Sequence, residues 1–228
     1  MKQIALDIGL PTGPTLQLFY PGPNLAVLHH LQLWTGAHTS AANRSPVPTY
    51  LWGQSGSGKT HLLKAAHEAL REHGATVGWM DSSTVTAPEF DESWAAVVMD
   101  DVHLYTAEQQ HACFNWFVNA HTFHRWVLTA GSGPPAGMQM REDLRTRLGW
   151  GHIFQLEVLS EAERRAVLRQ AADARGVFLR DDVMDFMLAR FSRDLASLME
   201  LLNQLDGYSL QKQRAITIPL LKSMLESD

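Results

Sequence analysis

The residues best placed to do chemistry are Gly53, Gly56, Ser57, Gly58, Lys59 and Thr60, in the run Gly-Gln-Ser-Gly-Ser-Gly-Lys-Thr. The run fits G-x-x-x-x-G-K-T without a gap. Glycines at this spacing let a loop curl until its backbone N–H groups converge on phosphate oxygens, where a Cβ would clash. Lys59 then reaches the outer phosphates, and the Thr60 hydroxyl completes the shell of a Mg²⁺ ion.

A second constellation lies at Ala95-Ala96-Val97-Val98-Met99-Asp100-Asp101. An apolar run ending in acids reads as a strand buried on both faces, with carboxylates at the end where parallel sheets bind ligands. Asp100 suits a water-mediated Mg²⁺ contact; Asp101 suits orienting an attacking water or a purely electrostatic role. Leu144-Arg145-Thr146-Arg147-Leu148-Gly149-Trp150-Gly151 places two arginines before glycines. They read either as helix-end cations facing the dipole or as guanidinium presented to phosphate. His103, His111, His121 and His124 follow no tight ligand spacing and read as ordinary surface or core histidines.

These groups need a scaffold. Thr49-Tyr50-Leu51-Trp52 is rich in strand formers, while Leu62, Leu63, Ala66, Ala69 and Leu70 recur at helical spacing before Gly74. Strand, glycine loop and helix N-terminus in that order form an anion site with unpaired donors and a favourable dipole. Further strands are expected over residues 75–80, 95–101, 125–130 and 153–159, with helices over 25–34 (Asn24 as N-cap) and 108–123. Residues 35–48 read as a loop, and 81–93 as irregular or weakly helical. The dense aromatics of 108–123 read as core rather than a base-stacking platform.

From residue 160 the pattern stays helical. Ser160 and Glu163 form a capping box, Asp181 opens a helix, Ser192 suits the cap of a helix over 193–206, and Pro219 suits the first turn of a last one. The expected fold class is therefore α/β, a five-stranded parallel sheet followed by a four-helix subdomain. The domain limits expected are 15–159 for the core and 160–228 for the helices, after a tail over 1–14. In that tail, Gln3-Ile4-Ala5-Leu6-Asp7-Ile8 alternates, as an edge strand or a linear docking peptide would.

Composition sets bounds. A net charge of −5, from 19 Lys and Arg against 24 Asp and Glu, gives no global basic field for DNA or an anionic membrane. A lone cysteine, Cys113, excludes an internal disulfide and suits a reducing cytoplasm. No apolar run is long enough to span a bilayer, and Asp7 and Gly9 interrupt any signal-peptide core.

Taken together, these motifs resemble the DnaA-related AAA+ family over nearly the whole length. The resemblance implies an adenine-flanking segment in Phe19-x-x-Gly22-x-Asn24, so that Gly22 and Asn24 join the nucleotide-binding set. It implies that Arg147 is an arginine finger acting on a neighbouring subunit's nucleotide, and that Arg193 is the sensor arginine reading bound phosphates. Gln3, Ile4, Leu6 and Ile8 resemble the peptide by which such proteins bind the DNA polymerase sliding clamp. Two departures stand out. Ser132, in Gly-Ser-Gly-Pro-Pro, replaces an acid at the first sensor position, which implies at most weak intrinsic ATPase. The sequence given also leaves no room for a helix-turn-helix after the lid. The resemblance thus implies a cytoplasmic, replisome-associated regulator holding ADP or ATP with Mg²⁺. Its partners would be the clamp and DnaA, its DNA contact at most indirect, and a homo-oligomer is compatible with it. A self-hydrolysing AAA+ ATPase such as a helicase loader is the rival expectation.

Overall fold

The computed structural model describes residues 13–36, 47–190 and 195–226. Contacts divide the chain into two units, one ending at Glu157 and the other beginning at Val158.

The first unit is built on a parallel sheet of five strands: β1 (Thr49–Gly53), β2 (Val77–Met80), β3 (Ala96–Met99), β4 (Trp126–Gly131) and β5 (His152–Leu156). Their spatial order is β2-β3-β4-β1-β5. Side chains alternate across the pleat, so neighbours in sequence enter different cores. Leu51, Ala96, Val98, Leu128 and Ala130 pack on one face with α1 (Leu25–Thr35) and α2 (Lys59–Glu72). Tyr50, Val97, Met99 and Val127 pack on the other with α3 (Ala107–Thr122) and α4 (Glu142–Leu148). On the first face Trp34 of α1 stacks on Trp126, with centroids 4.1 Å apart. The aromatics Trp116 and Phe117 of α3 are core, as their spacing implies.

The chain leaves β1 through α2, crosses to β2 and later returns to β5 on the other side of β1. That reversal opens a crevice at the C-terminal ends of β1 and its neighbours, the usual ligand position in such sheets.

The expected elements are present with local differences at their ends. The last strand ends at Leu156 rather than residue 159, because the Glu157 backbone is claimed by the Asn24 side chain. Asn24 occupies the cap position of α1 but makes no capping bond. Helix α3 starts one residue before the expected 108, behind a capping box of Thr106 and Gln109 that the sequence reading overlooked.

The second unit packs α5 (Glu161–Ala174), α6 (Asp181–Arg190), α7 (Leu195–Lys212) and α8 (Ile218–Leu225) around Leu168, Leu179, Met184, Leu198, Leu202 and Leu221. The Ser160–Glu163 box is formed, with Ser160 Oγ accepting from the Glu163 N–H at 3.3 Å. Thr217 caps α8 and Pro219 sits in its first turn. Helix α7 runs through Gly207 to Lys212, past the expected end at 206. Ser192 and Arg193 lie outside the described residues, as do Gln3, Ile4, Leu6 and Ile8. Among the described residues, no helix is long and apolar enough to cross a membrane.

Candidate nucleotide site

The loop from Gly53 to Thr60 joins β1 to α2 at the crevice. Glycine is required at both of its hinges. A Cβ on Gly53 would lie 2.3 Å from the Leu156 carbonyl oxygen, a backbone atom that has no room to retreat. Gly58 has φ +94°, and a Cβ there would meet the Phe19 ring at 2.8 Å. Gly56, with φ +78°, is a third position in the left-handed region.

Lys59 is only 8% exposed, and its Nζ donates to the carbonyls of Gly53 (2.8 Å) and Gln54 (2.9 Å). The ammonium thus ties the two ends of the loop together. Burial lowers its pKa, opposed by the nearby Asp101 and Asp100 carboxylates. Ser57 is buried, and among the described residues its Oγ has no hydrogen-bond partner. An orphaned hydroxyl inside a glycine cradle at a helix N-terminus is what an anion would satisfy.

Asp100 follows β3, 2% exposed, with its N–H donated to the Met80 carbonyl at 2.9 Å. Its Oδ1 accepts the Asp101 N–H at 2.9 Å, and the Thr60 hydroxyl also hydrogen-bonds the carboxylate. Burial pushes the Asp100 carboxyl above the ordinary range, against the Thr60 bond. A buried carboxylate paired with this threonine is a fitting divalent-cation ligand set, since the ion's charge would reverse the cost of burial. Asp101 takes a left-handed φ of +51°, which turns the chain sharply away from the strand.

Register places Ser132 alongside. Trp52 of β1 pairs with Gly131 of β4, so Gly53 and Ser132 are neighbouring strand ends. Ser132 itself is exposed. Its turn is held by Tyr50, whose hydroxyl donates to the Gly133 carbonyl at 2.7 Å. The fold therefore brings Gly53, Gly56, Ser57, Gly58, Lys59, Thr60, Asp100, Asp101 and Ser132 to one crevice.

Gly22 and Asn24 reach the same neighbourhood through the segment that carries Phe19. Gly22 has φ +45° and opens a short helical turn, Gly22–Asn24. Both polar ends of the buried Asn24 amide are used: Nδ2 donates to the Glu157 carbonyl, and Oδ1 accepts the Glu157 N–H, each at 2.9 Å. Asn24 is therefore a tie holding the segment in place. Nothing in its sequence context distinguishes a tie from a cap.

Arg147 is placed apart from this cluster. It stands in the last turn of α4 with Arg145, where a cation faces the helix dipole favourably. Its guanidinium carbon lies 4.9 Å from the centroid of Phe114 on α3, and that of Arg141 lies 5.3 Å from the same ring. Arg141 is neutralised by Asp143, Nη2 to Oδ2 at 2.6 Å. Among the described residues Arg147 has no carboxylate within ion-pair distance. A stacked guanidinium uses its face and leaves the N–H edges free for a planar or phosphoryl acceptor. Arg147, Phe114, Asp143, Thr146 and the exposed Trp150 line an open hollow of about 390 Å³.

Comparison with known proteins agrees with the fold. Residues 161–225 match the family model described as Hda, lid domain. Domain III of the Thermotoga maritima replication initiation protein DnaA is 18% identical, with a TM-score of 0.72 over 96% of this chain and 98% of that one. AMPPCP-bound DnaA from Aquifex aeolicus is 20% identical, with a TM-score of 0.69 over 90% of this chain and 68% of that one. The Thermotoga maritima RuvB Holliday junction branch migration motor is 14% identical, with a TM-score of 0.61 over 89% of this chain and 68% of that one. The match to the Hda lid model thus covers the helical unit, and it follows a core that shares the fold of DnaA domain III.

Proposed function

We propose that this protein is a nucleotide-bound regulator that, together with the DNA-loaded sliding clamp, stimulates hydrolysis of DnaA-bound ATP and so prevents re-initiation of replication. The observation that carries the reading is Arg147. Its guanidinium is anchored by a ring face rather than a carboxylate, and none of its described contacts is with the chain's own phosphate loop. A cation so held is suited to a phosphoryl group on another molecule, and a trans arginine is worth about 10³–10⁵ in rate.

The chain's own site has a different part. Backbone N–H groups of residues 56–60 and the Lys59 ammonium would hold the phosphates of ADP or ATP. Ser57 would complete the cradle, and Thr60 with Asp100 would hold Mg²⁺. Asp101 stands next to this ligand set, but Ser132 gives the sensor position only a hydroxyl, so little intrinsic turnover is expected. Gln3, Ile4, Leu6 and Ile8 would dock on the clamp as an extended peptide, adding effective concentration rather than catalysis. Domain limits of 1–14, 15–159 and 160–228 and a sensor role for Arg193 belong to the same reading.

The test is hydrolysis of DnaA-bound ATP with and without clamp loaded on DNA. Wild type should stimulate only with loaded clamp, and Gln3→Ala should lose that dependence on the clamp together with the stimulation. Clamp-independent stimulation by both would overturn the tether. The rival, a helicase loader or related ATPase, is favoured by the intact Lys59, Thr60, Asp100 and Asp101 set. Brisk steady-state turnover by the protein alone would select it.

A further inference from the structure

His61 follows Thr60 in the first turn of α2 and has no part in the phosphate chemistry above. Its Nε2 is 3.1 Å from the Thr15 carbonyl oxygen, so that nitrogen carries the proton and donates it. The same imidazole tilts against Phe19, with centroids 5.6 Å apart. The Phe19 edge in turn fills the space over Gly58 that any Cβ would need. Thr15–Asn24 is thus a strap tied at both ends: to α2 through His61, and to the end of β5 through the Asn24–Glu157 pair. Between the ties, Leu16 is buried in the core and the Leu18 N–H donates to Thr15 Oγ1 at 3.2 Å.

A nucleotide with its phosphates on the loop must extend its sugar and base past the loop's flank. The described segment lying against Gly58 is this strap. We propose that His61 is a positioning residue for the nucleoside, locking the strap against the phosphate loop so that the wall met by sugar and base is formed before binding. The inference rests on the nucleotide reading of the site. Without the His61 bond, ordering of Thr15–Phe19 becomes a cost charged to nucleoside binding, while the phosphate cradle keeps its own geometry.

Calorimetric titration of the full chain with ADP and, separately, with inorganic pyrophosphate, both with Mg²⁺, tests this. His61→Leu should weaken ADP roughly three- to tenfold, the worth of one neutral hydrogen bond, and leave pyrophosphate unchanged. His61→Gln, whose amide nitrogen reaches the position of Nε2, should restore ADP affinity. His61→Asn is too short to reach Thr15 and replaces the leucine variant if that one does not fold. Equal weakening of ADP and pyrophosphate would overturn the proposal, since His61 would then serve the loop itself. Unchanged ADP affinity in His61→Leu would overturn it too. Wild-type protein that binds neither probe would remove the nucleotide reading and this inference with it.

Discussion

Asn24 distinguishes two physical roles that predict opposite mutant behaviour. In the structure its amide makes two hydrogen bonds to the Glu157 backbone and none to its own helix. Asn24→Ala removes both. At a net worth of about 1 kcal/mol each, the core should lose about 2 kcal/mol. Asn24→Asp separates tie from cap. Aspartate is as good an N-cap as asparagine, so a capping role predicts neutrality or a small gain. In the tie, aspartate keeps the acceptor for the Glu157 N–H but sets a carboxylate oxygen against the Glu157 carbonyl, so the variant should be at least as unstable as Asn24→Ala. The readout is convenient because the 7 tryptophans lie at positions 34, 52, 79, 94, 116, 126 and 150, all in the first unit. Urea unfolding followed by tryptophan fluorescence therefore reports the core alone. With a slope of about 2 kcal/mol per molar, the Asn24→Ala midpoint should fall by about 1 M. A wild-type midpoint for Asn24→Asp would refute the tie.

Other expectations follow from single contacts. Gly53→Ala should cost the core about 1–3 kcal/mol or more by the same fluorescence assay, because its Cβ would collide with the Leu156 carbonyl. Cys113 is buried, and burial raises its thiol pKa, so a disulfide reagent should leave it unmodified in native protein and titrate it fully in urea. Asp81 is held below the ordinary aspartate range, first by the Ser83 hydroxyl and then by the Trp79 indole N–H at 3.0 Å. Its contribution to stability is therefore complete above the unfolded aspartate pKa of about 3.9 and is lost as pH falls through the lower folded value. Asp81→Asn should flatten the acid limb of the stability profile, and an unchanged limb would count against the assignment.

Much of the site was legible because its chemistry is local. Residues 53–60 are consecutive, their glycines are dictated by backbone conformation, and the apolar runs of β1 and β3 mark strands buried on both faces. The Ser160–Glu163 box was readable for the same reason, since all its partners lie within one turn. What escaped the sequence depends on contacts between distant residues. Asn24 meets Glu157 across 133 positions, and no residue type announces that pairing. His61 looks like any polar residue in a first helical turn until Thr15 is brought to it. Thr106 and Gln109 are different: their Thr-x-x-Gln spacing was visible but was overshadowed by the aromatics that follow. Ser132 could be located by its turn, and its neighbours were set only by the β1–β4 register.

The central claim is that a guanidinium from this chain completes a hydrolytic site on another protein. It is tested most directly by single-turnover hydrolysis of ATP prebound to DnaA, with loaded clamp and either wild type or Arg147→Ala. Clamp binding and tryptophan-monitored unfolding serve as controls for the variant. The account predicts that Arg147→Ala binds the clamp and folds as wild type does, yet loses stimulation by about 10³-fold or more. Stimulation undiminished in Arg147→Ala would contradict it.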